Sequence, residues 1–404
     1  MAALSSGSSA RLNFLKASIF PLYISNLRRT KFTVKKSIGI GGSLFIELHS
    51  GKPCSKVTFI LIIGRSSHMQ GEKQPAPRNK TLTMNNLERE KYSKKLLIPD
   101  GSPLLPSKII NKTIYSDLFN IINYLPKSFV DLLVIDPPYN LDKDFNGIRF
   151  SKSDDDKYLQ YLGSWFPKLI NVVKPNGSIY ICGDWKSTSC LYEIMKKYTI
   201  VRNRITWQRE KGRGAKKNWK NTTEDIWFGT MGDDYYFDVE SVKQKRRVIA
   251  PYRENGAPKD WEETENGNFR LTYPSNFWDD ISIPYWSMPE NTEHPTQKPE
   301  KLIAKLILAS CPKNGIVLDP FVGSGTTSVV AKKLGRNYVG IEINEEYCCW
   351  TEKRLDIAEH NREIQGYSSG VFWERNTLSM QLDERKKADK KRLKSIEPSL
   401  FEEK

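Results

Sequence analysis

The six cysteines (Cys54, Cys182, Cys190, Cys311, Cys348 and Cys349) form no Cys-x-x-Cys pair and follow no regular spacing. A disulfide framework or a zinc cluster is therefore not expected, and a reducing compartment fits. Histidine is scarce too: four residues, scattered along the chain, argue against a metal centre. No apolar run approaches the ~20 residues that a membrane helix requires. The longest, Phe59 to Ile63, reads as a strand. Acid is in deficit, with 47 Asp and Glu against 63 Lys and Arg, a formal charge of +16. Clustered basic side chains bind polyanions by releasing condensed counterions. The imbalance therefore favours a nucleic-acid partner over a surface that is merely solubilised.

What remains is ordinary globular material, 38% hydrophobic and 11% aromatic, spread unevenly over 404 residues. The first 71 residues hold ten Lys or Arg and a single acid, Glu47, with serines at 5, 6, 8 and 9. That composition suits either an organelle transit peptide or an upstream extension with Met84 as the working start, and the second is preferred. Residues 1–83 are accordingly set outside the catalytic fold. Cytoplasmic location follows from the extension, organellar location from the transit peptide. Residues 72–404 still carry a basic excess.

Beyond Met84 strands alternate with helices. Val130 to Ile135 is a short branched apolar run, the mark of a buried parallel strand. Residues 156–173 carry apolar side chains at helical spacing, Pro175-Asn176-Gly177 punctuates them, and Ser178 to Cys182 reads as a strand. Ile316 to Leu318 predicts another strand, Thr326 to Leu334 a helix, and Tyr338 to Ile341 a further strand. This rhythm predicts an α/β fold, a doubly wound and mostly parallel sheet. Residues 229–290 break it with Pro, Gly, Trp and charge.

Two strand ends carry chemistry. The first runs into Asp136-Pro137-Pro138-Tyr139. The prolines remove two N–H donors, so the turn offers only acceptors, and Asp136 adds its carboxylate. Tyr139 adds a flat face. Such a pocket suits the amino group and ring of an extruded adenine or cytosine, although a rigid structural turn would carry the same string. The second strand end runs into Asp319-Pro320-Phe321-Val322-Gly323-Ser324-Gly325-Thr326-Thr327 and a helix. Its glycines allow close backbone approach to a ligand. Glu342 lies 19 residues beyond Gly323, where an acid meets ribose hydroxyls. A dinucleotide would want glycine at 328, where Ser328 stands, and Asp319 would repel its pyrophosphate. The charge of Asp319 suits the ammonium of S-adenosylmethionine instead.

In this order the motifs resemble the amino-methyltransferases of DNA, in the group whose DPPY motif precedes its FxGxG cofactor loop. Asp136 to Tyr139 matches the catalytic motif, Asp319 to Gly325 the loop, and Glu342 the ribose-binding acid. His294-Pro295-Thr296-Gln297-Lys298-Pro299 resembles the block that holds the methionine carboxylate. Asp117 resembles an acid near the cofactor adenine, although Ser116 replaces the usual glycine. The resemblance spans residues 109 to 360. It implies a Rossmann-like fold of the S-adenosylmethionine-dependent type with an inserted DNA-recognition region. Asp136, Pro137, Pro138 and Tyr139 are then catalytic. Asp319, Phe321, Gly323, Ser324, Gly325, Thr326, Glu342, Thr296, Gln297, Lys298 and Asp117 bind cofactor.

The expected organisation is a catalytic half at 84–228, a target-recognition region at 229–290, a cofactor half at 291–362 and a charged tail at 363–404. Arg213, Lys216, Lys217, Asn218 and Trp219 form a basic, glycine-bearing loop suited to phosphates. Arg246 and Arg247 are candidates for base contact. The expected substrate is double-stranded DNA, with adenine N6 preferred over cytosine N4 because Asp stands first in the motif. No metal or membrane is expected. A homodimer, a companion restriction enzyme and a non-catalytic DNA-binding regulator stay open.

Overall fold

The computed structural model describes residues 32–38, 44–50, 77–383 and 386, except 141–142, 146–147, 151–152, 210–216, 249–251 and 265–266. Two compact units are distinct, Met1–Ala76 and Pro77–Lys404. In the first, Phe32–Ile38 and Leu44–Ser50 pair as an antiparallel hairpin. The predicted strand at Phe59 lies outside the described residues.

The second unit is built on eight strands: β1 (Lys112–Tyr115), β2 (Val130–Ile135), β3 (Val173–Gly183), β4 (Ile200–Gln208), β5 (Thr223–Thr230), β6 (Phe277–Trp278), β7 (Ile316–Asp319) and β8 (Asn337–Glu342). They lie in the order β6-β4-β5-β3-β2-β7-β8-β1. Every neighbouring pair is parallel except the two made by β5. The doubly wound α/β expectation holds.

The helices that matter here are α1 (Asn86–Ser93), α2 (Asp155–Leu169), α3 (Thr188–Tyr198), α4 (Glu300–Ser310), α5 (Thr326–Lys333) and α6 (Glu345–His360). Successive strand side chains point to opposite faces, and β2 shows this directly. Leu132 and Val134 enter a core with α4, α5 and α6, while Leu133 and Ile135 enter another with α2 and α3. All four are essentially fully buried. Burial on both faces explains why β2 reads as a continuous apolar run rather than an alternating one.

From β2 the chain crosses to β3 on one side; from β7 it crosses to β8 on the other. The β2/β7 boundary, with Leu132 opposite Val317 and Leu133 opposite Leu318, is where the winding reverses. In open α/β sheets such a reversal leaves a crevice at the carboxyl ends of the strands. Asp136 follows β2 and Asp319 ends β7, so both motifs open there.

β1 was not expected; a helix-like stretch was expected beyond Ile114, and the helix there is one short turn, Leu118–Ile121. Pro175-Asn176-Gly177 punctuates less sharply than expected, because it lies within β3 at a break in the β2 register. Within 229–290, Gln244–Arg247, Glu262–Thr264 and Gly267–Thr272 build a second sheet. Val371–Trp373 and Tyr367–Ser368 complete it, with Gln244–Arg247 running parallel to Val371–Trp373.

Candidate active site

A cavity of about 830 Å³ occupies the crevice. That volume is in the range of small-molecule sites. Asp136, Pro137, Pro138 and Tyr139 line it from the β2 turn, Phe321 and Gly323 from the loop after β7, and Glu342 from the end of β8. Asp117, Thr296, Gln297 and Lys298 complete the wall from the expected set. A smaller pocket of about 30 Å³ adds Asp319, Ser324 and Thr326 and shares Asp136, Lys298 and Gly323 with the first. The two motifs therefore face one space.

The loop after β7 is held from several directions. Gly325 ends it at φ +85°, in the left-handed region, and caps α5. A Cβ there would lie 2.8 Å from the Thr351 Cα, so α6 leaves room for no side chain. Asp319 closes the turn, Oδ1 accepting from the Phe321 N–H at 3.0 Å and Oδ2 from the Thr327 hydroxyl at 2.6 Å. Burial lifts the Asp319 carboxyl to about 7, against those two hydrogen bonds, with the charges of Asp136 and Glu342 adding to the rise. The Thr326 hydroxyl donates to the Lys298 carbonyl at 3.1 Å. Arg354 on α6 donates to the Ser324 carbonyl at 2.8 Å and pairs with buried Glu300 at 3.0 Å. These bonds fix the glycine turn from behind.

Glu342 accepts the N–H of Gly323 and that of Asn344, both at 2.9 Å. Burial raises its pKa, and those backbone donors oppose the rise. Asp117 caps the Leu118–Ile121 turn through the Phe119 N–H at 2.9 Å. The Gln297 amide is engaged within its own segment, accepting from Thr292 and donating to the Glu290 carbonyl.

The turn from Asp136 to Tyr139 is embedded in a charge cluster. Tyr139 donates its hydroxyl to Asp136 Oδ1 at 3.0 Å and toward Glu224 Oε2 at 3.3 Å. Burial, with the charges of Asp136 and Glu224, keeps that phenol protonated. Lys298 Nζ lies 2.6 Å from Asp136 Oδ2, 3.0 Å from the Tyr139 hydroxyl and 3.4 Å from Glu224 Oε2. Arg209 pairs with the other Glu224 oxygen.

Glu224 was not foreseen, and Arg209 was expected only among the phosphate contacts of the basic loop. The signal was an acid pair, Glu224-Asp225, opening an otherwise apolar strand. Because β5 runs against its neighbours, its first residues lie where theirs end, beside Asp136.

Of the expected DNA contacts, Arg213 and Lys216 lie outside the described residues. Lys217, Asn218 and Trp219 are exposed, Trp219 almost entirely. Arg246 pairs with Glu374 at 3.1 Å, and Arg247 donates its backbone N–H to the same carboxylate. Neither arginine lines the cavity.

Residues 130–353 match the model of the N6/N4 DNA methylases. The chain belongs to that family. It is a DNA methyltransferase, and S-adenosylmethionine is its methyl donor. It is 33% identical over 261 residues to the type II methyltransferase M.HpaI of Haemophilus parainfluenzae, covering 64% of this chain and 76% of that one. It is 34% identical over 254 residues to the DNA adenine methyltransferase YhdJ of Escherichia coli K12, covering 61% and 83%. The solved M1.HpyAVI–SAM complex superposes over 60% of this chain and 98% of that one, with 24% identity and a TM-score of 0.42.

Proposed function

We propose that this methyltransferase acts on adenine N6 of a base flipped out of duplex DNA. One observation carries the reading: Asp136 and Gly323, at neighbouring strand ends, line one cavity. The similarity to a protein named as an adenine methyltransferase, and Asp at the head of the motif, favour adenine.

The residues fit the donor. Gly323, at φ +53°, has no room for a side chain without crowding His294, and Glu342 is fixed beside it as an acceptor. Gly323 and Glu342 would hold the ribose side, Phe321 and Asp117 would flank the adenine, and Asp319 would face the ammonium. Bound S-adenosylmethionine supplies a sulfonium-activated methyl group.

The chain's own task is alignment and activation of the amine. The lone pair of an exocyclic amine is delocalised into its ring. Acceptance of the N–H groups by Asp136 and by the Pro137 carbonyl favours a pyramidal nitrogen and stabilises the charge that develops on it. Pro137 and Pro138 bring no N–H to compete. Tyr139, its hydroxyl tethered, offers a ring for stacking, worth ~1–3 kcal/mol by comparison with single-strand binding.

Asp136→Ala should abolish methyl transfer while leaving S-adenosylmethionine binding within about threefold, since a lost transition-state contact lowers turnover rather than donor affinity. Near-normal turnover in that variant would remove Asp136 from the reaction.

A further inference from the structure

Lys298 sits in the block expected to hold the methionine carboxylate, yet its ammonium is already engaged. It is nine-tenths buried and lies against Asp136, Tyr139 and Glu224. Lys298 and Arg209 balance Asp136 and Glu224, two charges against two. A ligand carboxylate brought to Lys298 would make three anions share those two cations in a buried place, where an uncompensated charge is costly. The same ammonium costs nothing further where it now sits.

We propose that Lys298 and Glu224 are positioning residues for methyl transfer that act through Asp136, not on the methyl donor. Lys298 holds the Asp136 carboxylate in place and aimed. Glu224 anchors the Lys298 ammonium and the Tyr139 hydroxyl on the side away from the incoming amine. This rests on the reading that Asp136 accepts the N–H groups of the amine, because a carboxylate turned away would leave them without an acceptor.

The groups facing Asp136 are Tyr139 on its own turn, Tyr158 on α2, Cys182 on β3, Glu224 on β5, Asp319 on β7, and Lys298. Lys298 is the cation among them, and Arg209 pairs with Glu224. Burial disfavours the Lys298 charge, but Asp136 and Glu224 outweigh it and raise its pKa. Without Lys298, the Asp136 carboxylate would lose the ammonium that holds its Oδ2 at 2.6 Å.

The test uses the full chain with Lys298→Met, Lys298→Arg and Glu224→Gln. Turnover is followed at saturating S-adenosylmethionine, and S-adenosylmethionine binding is titrated separately. Lys298→Met should lower kcat about 100-fold, the size of losing one preorganised electrostatic contact. Donor affinity should hold within about threefold, so that the loss falls on kcat and not on S-adenosylmethionine binding. Glu224→Gln should lower kcat at unchanged donor affinity.

A tenfold or greater loss of donor affinity, with kcat at saturation near the parent value, would overturn the proposal and make Lys298 a cofactor ligand. Should Lys298→Met fail to fold, Lys298→Arg reads the same split, because its planar head keeps the charge but not the point contact. Asp136→Ala separates the two failures. If that variant stays active, the reading of Asp136 itself falls. If it is inactive while Lys298 variants change only donor affinity, this proposal alone falls.

Discussion

Gly323 donates its backbone N–H to the Glu342 carboxylate at 2.9 Å, joining the loop after β7 to the end of β8. The bond sets loop and acid in one arrangement before any ligand arrives, which lowers the ordering cost of binding. Glu342→Ala removes both the acceptor proposed for the donor's ribose and the tie on Gly323. Hydrogen bonds to charged groups contribute ~1.5–3 kcal/mol, so donor affinity should fall by at least about tenfold. Calorimetric titration of S-adenosylmethionine checks this, with a thermal melt confirming that the fold persists.

Gly325 and Gly101 share φ +85° but not their surroundings. At Gly101 a Cβ meets nothing within 4 Å, so Gly101→Ala carries only the left-handed backbone penalty of ~1 kcal/mol. At Gly325 the same Cβ would press on the backbone of Thr351. Gly325→Ala should therefore lower the melting temperature clearly more than Gly101→Ala and should weaken donor binding as well. Equal shifts in the two melts would mean that α6 yields at the contact.

With the donor's ammonium facing Asp319 as proposed, donor binding should depend on pH. Its carboxyl is raised from 3.8 to about 7 by burial, so in the folded chain it is protonated through most of the acidic range. For this group alone, folding is favoured below pH ~4 and that advantage is lost as pH rises toward 7. An ammonium beside it reverses the preference and drives the proton off. Donor affinity should weaken as pH falls through about 7, with proton release on binding visible in buffers of different ionisation enthalpy. Asp319→Asn should flatten that profile.

Much of the sheet was legible because buried parallel strands are short branched apolar runs. Val130–Ile135 and Asn337–Glu342 each end in a residue that cannot be core, Asp136 following the first and Glu342 closing the second. The pairing of the motifs was legible for the same reason. Glu224 was hidden because its position beside Asp136 depends on the reversed direction of β5, which no local pattern announces. The second sheet was hidden because its strands are two to six residues long and its closing strand, Val371–Trp373, comes about a hundred residues later. A charge pattern pointed to Arg246 as a DNA contact, but only the fold brings Glu374 to it.

Residues 79–83, which the sequence reading set apart, pack beside the site. Lys80 and Leu82 donate their N–H groups to the Trp286 and Asn291 carbonyls at 2.6 and 2.9 Å, and the Asn291 amide donates to the Thr81 hydroxyl at 2.8 Å. Asn291 and Thr292 line the cavity. The helix that follows, α1, is tied to α6 by Lys91 and Lys95 on Asp356 and by Lys353 on Glu88. A chain starting at Met84 should keep its fold but bind S-adenosylmethionine several-fold more weakly than one starting at Pro77. The lost hydrogen bonds to Trp286 and Asn291, and that from Lys353 to the Thr83 carbonyl, at ~1 kcal/mol each and partly replaced by water, set that scale. Identical affinities would show that residues 77–83 lie on the site without supporting it.

Nucleoside mass spectrometry of DNA treated with the full chain and S-adenosylmethionine is the decisive measurement. DNA free of modified bases should acquire N6-methyldeoxyadenosine, and the same reaction with Asp136→Ala should yield none. N4-methyldeoxycytidine in its place would move the target to cytosine. Methylated adenine from the Asp136→Ala chain would mean that the acceptor turn at the end of β2 is not where the amine is activated.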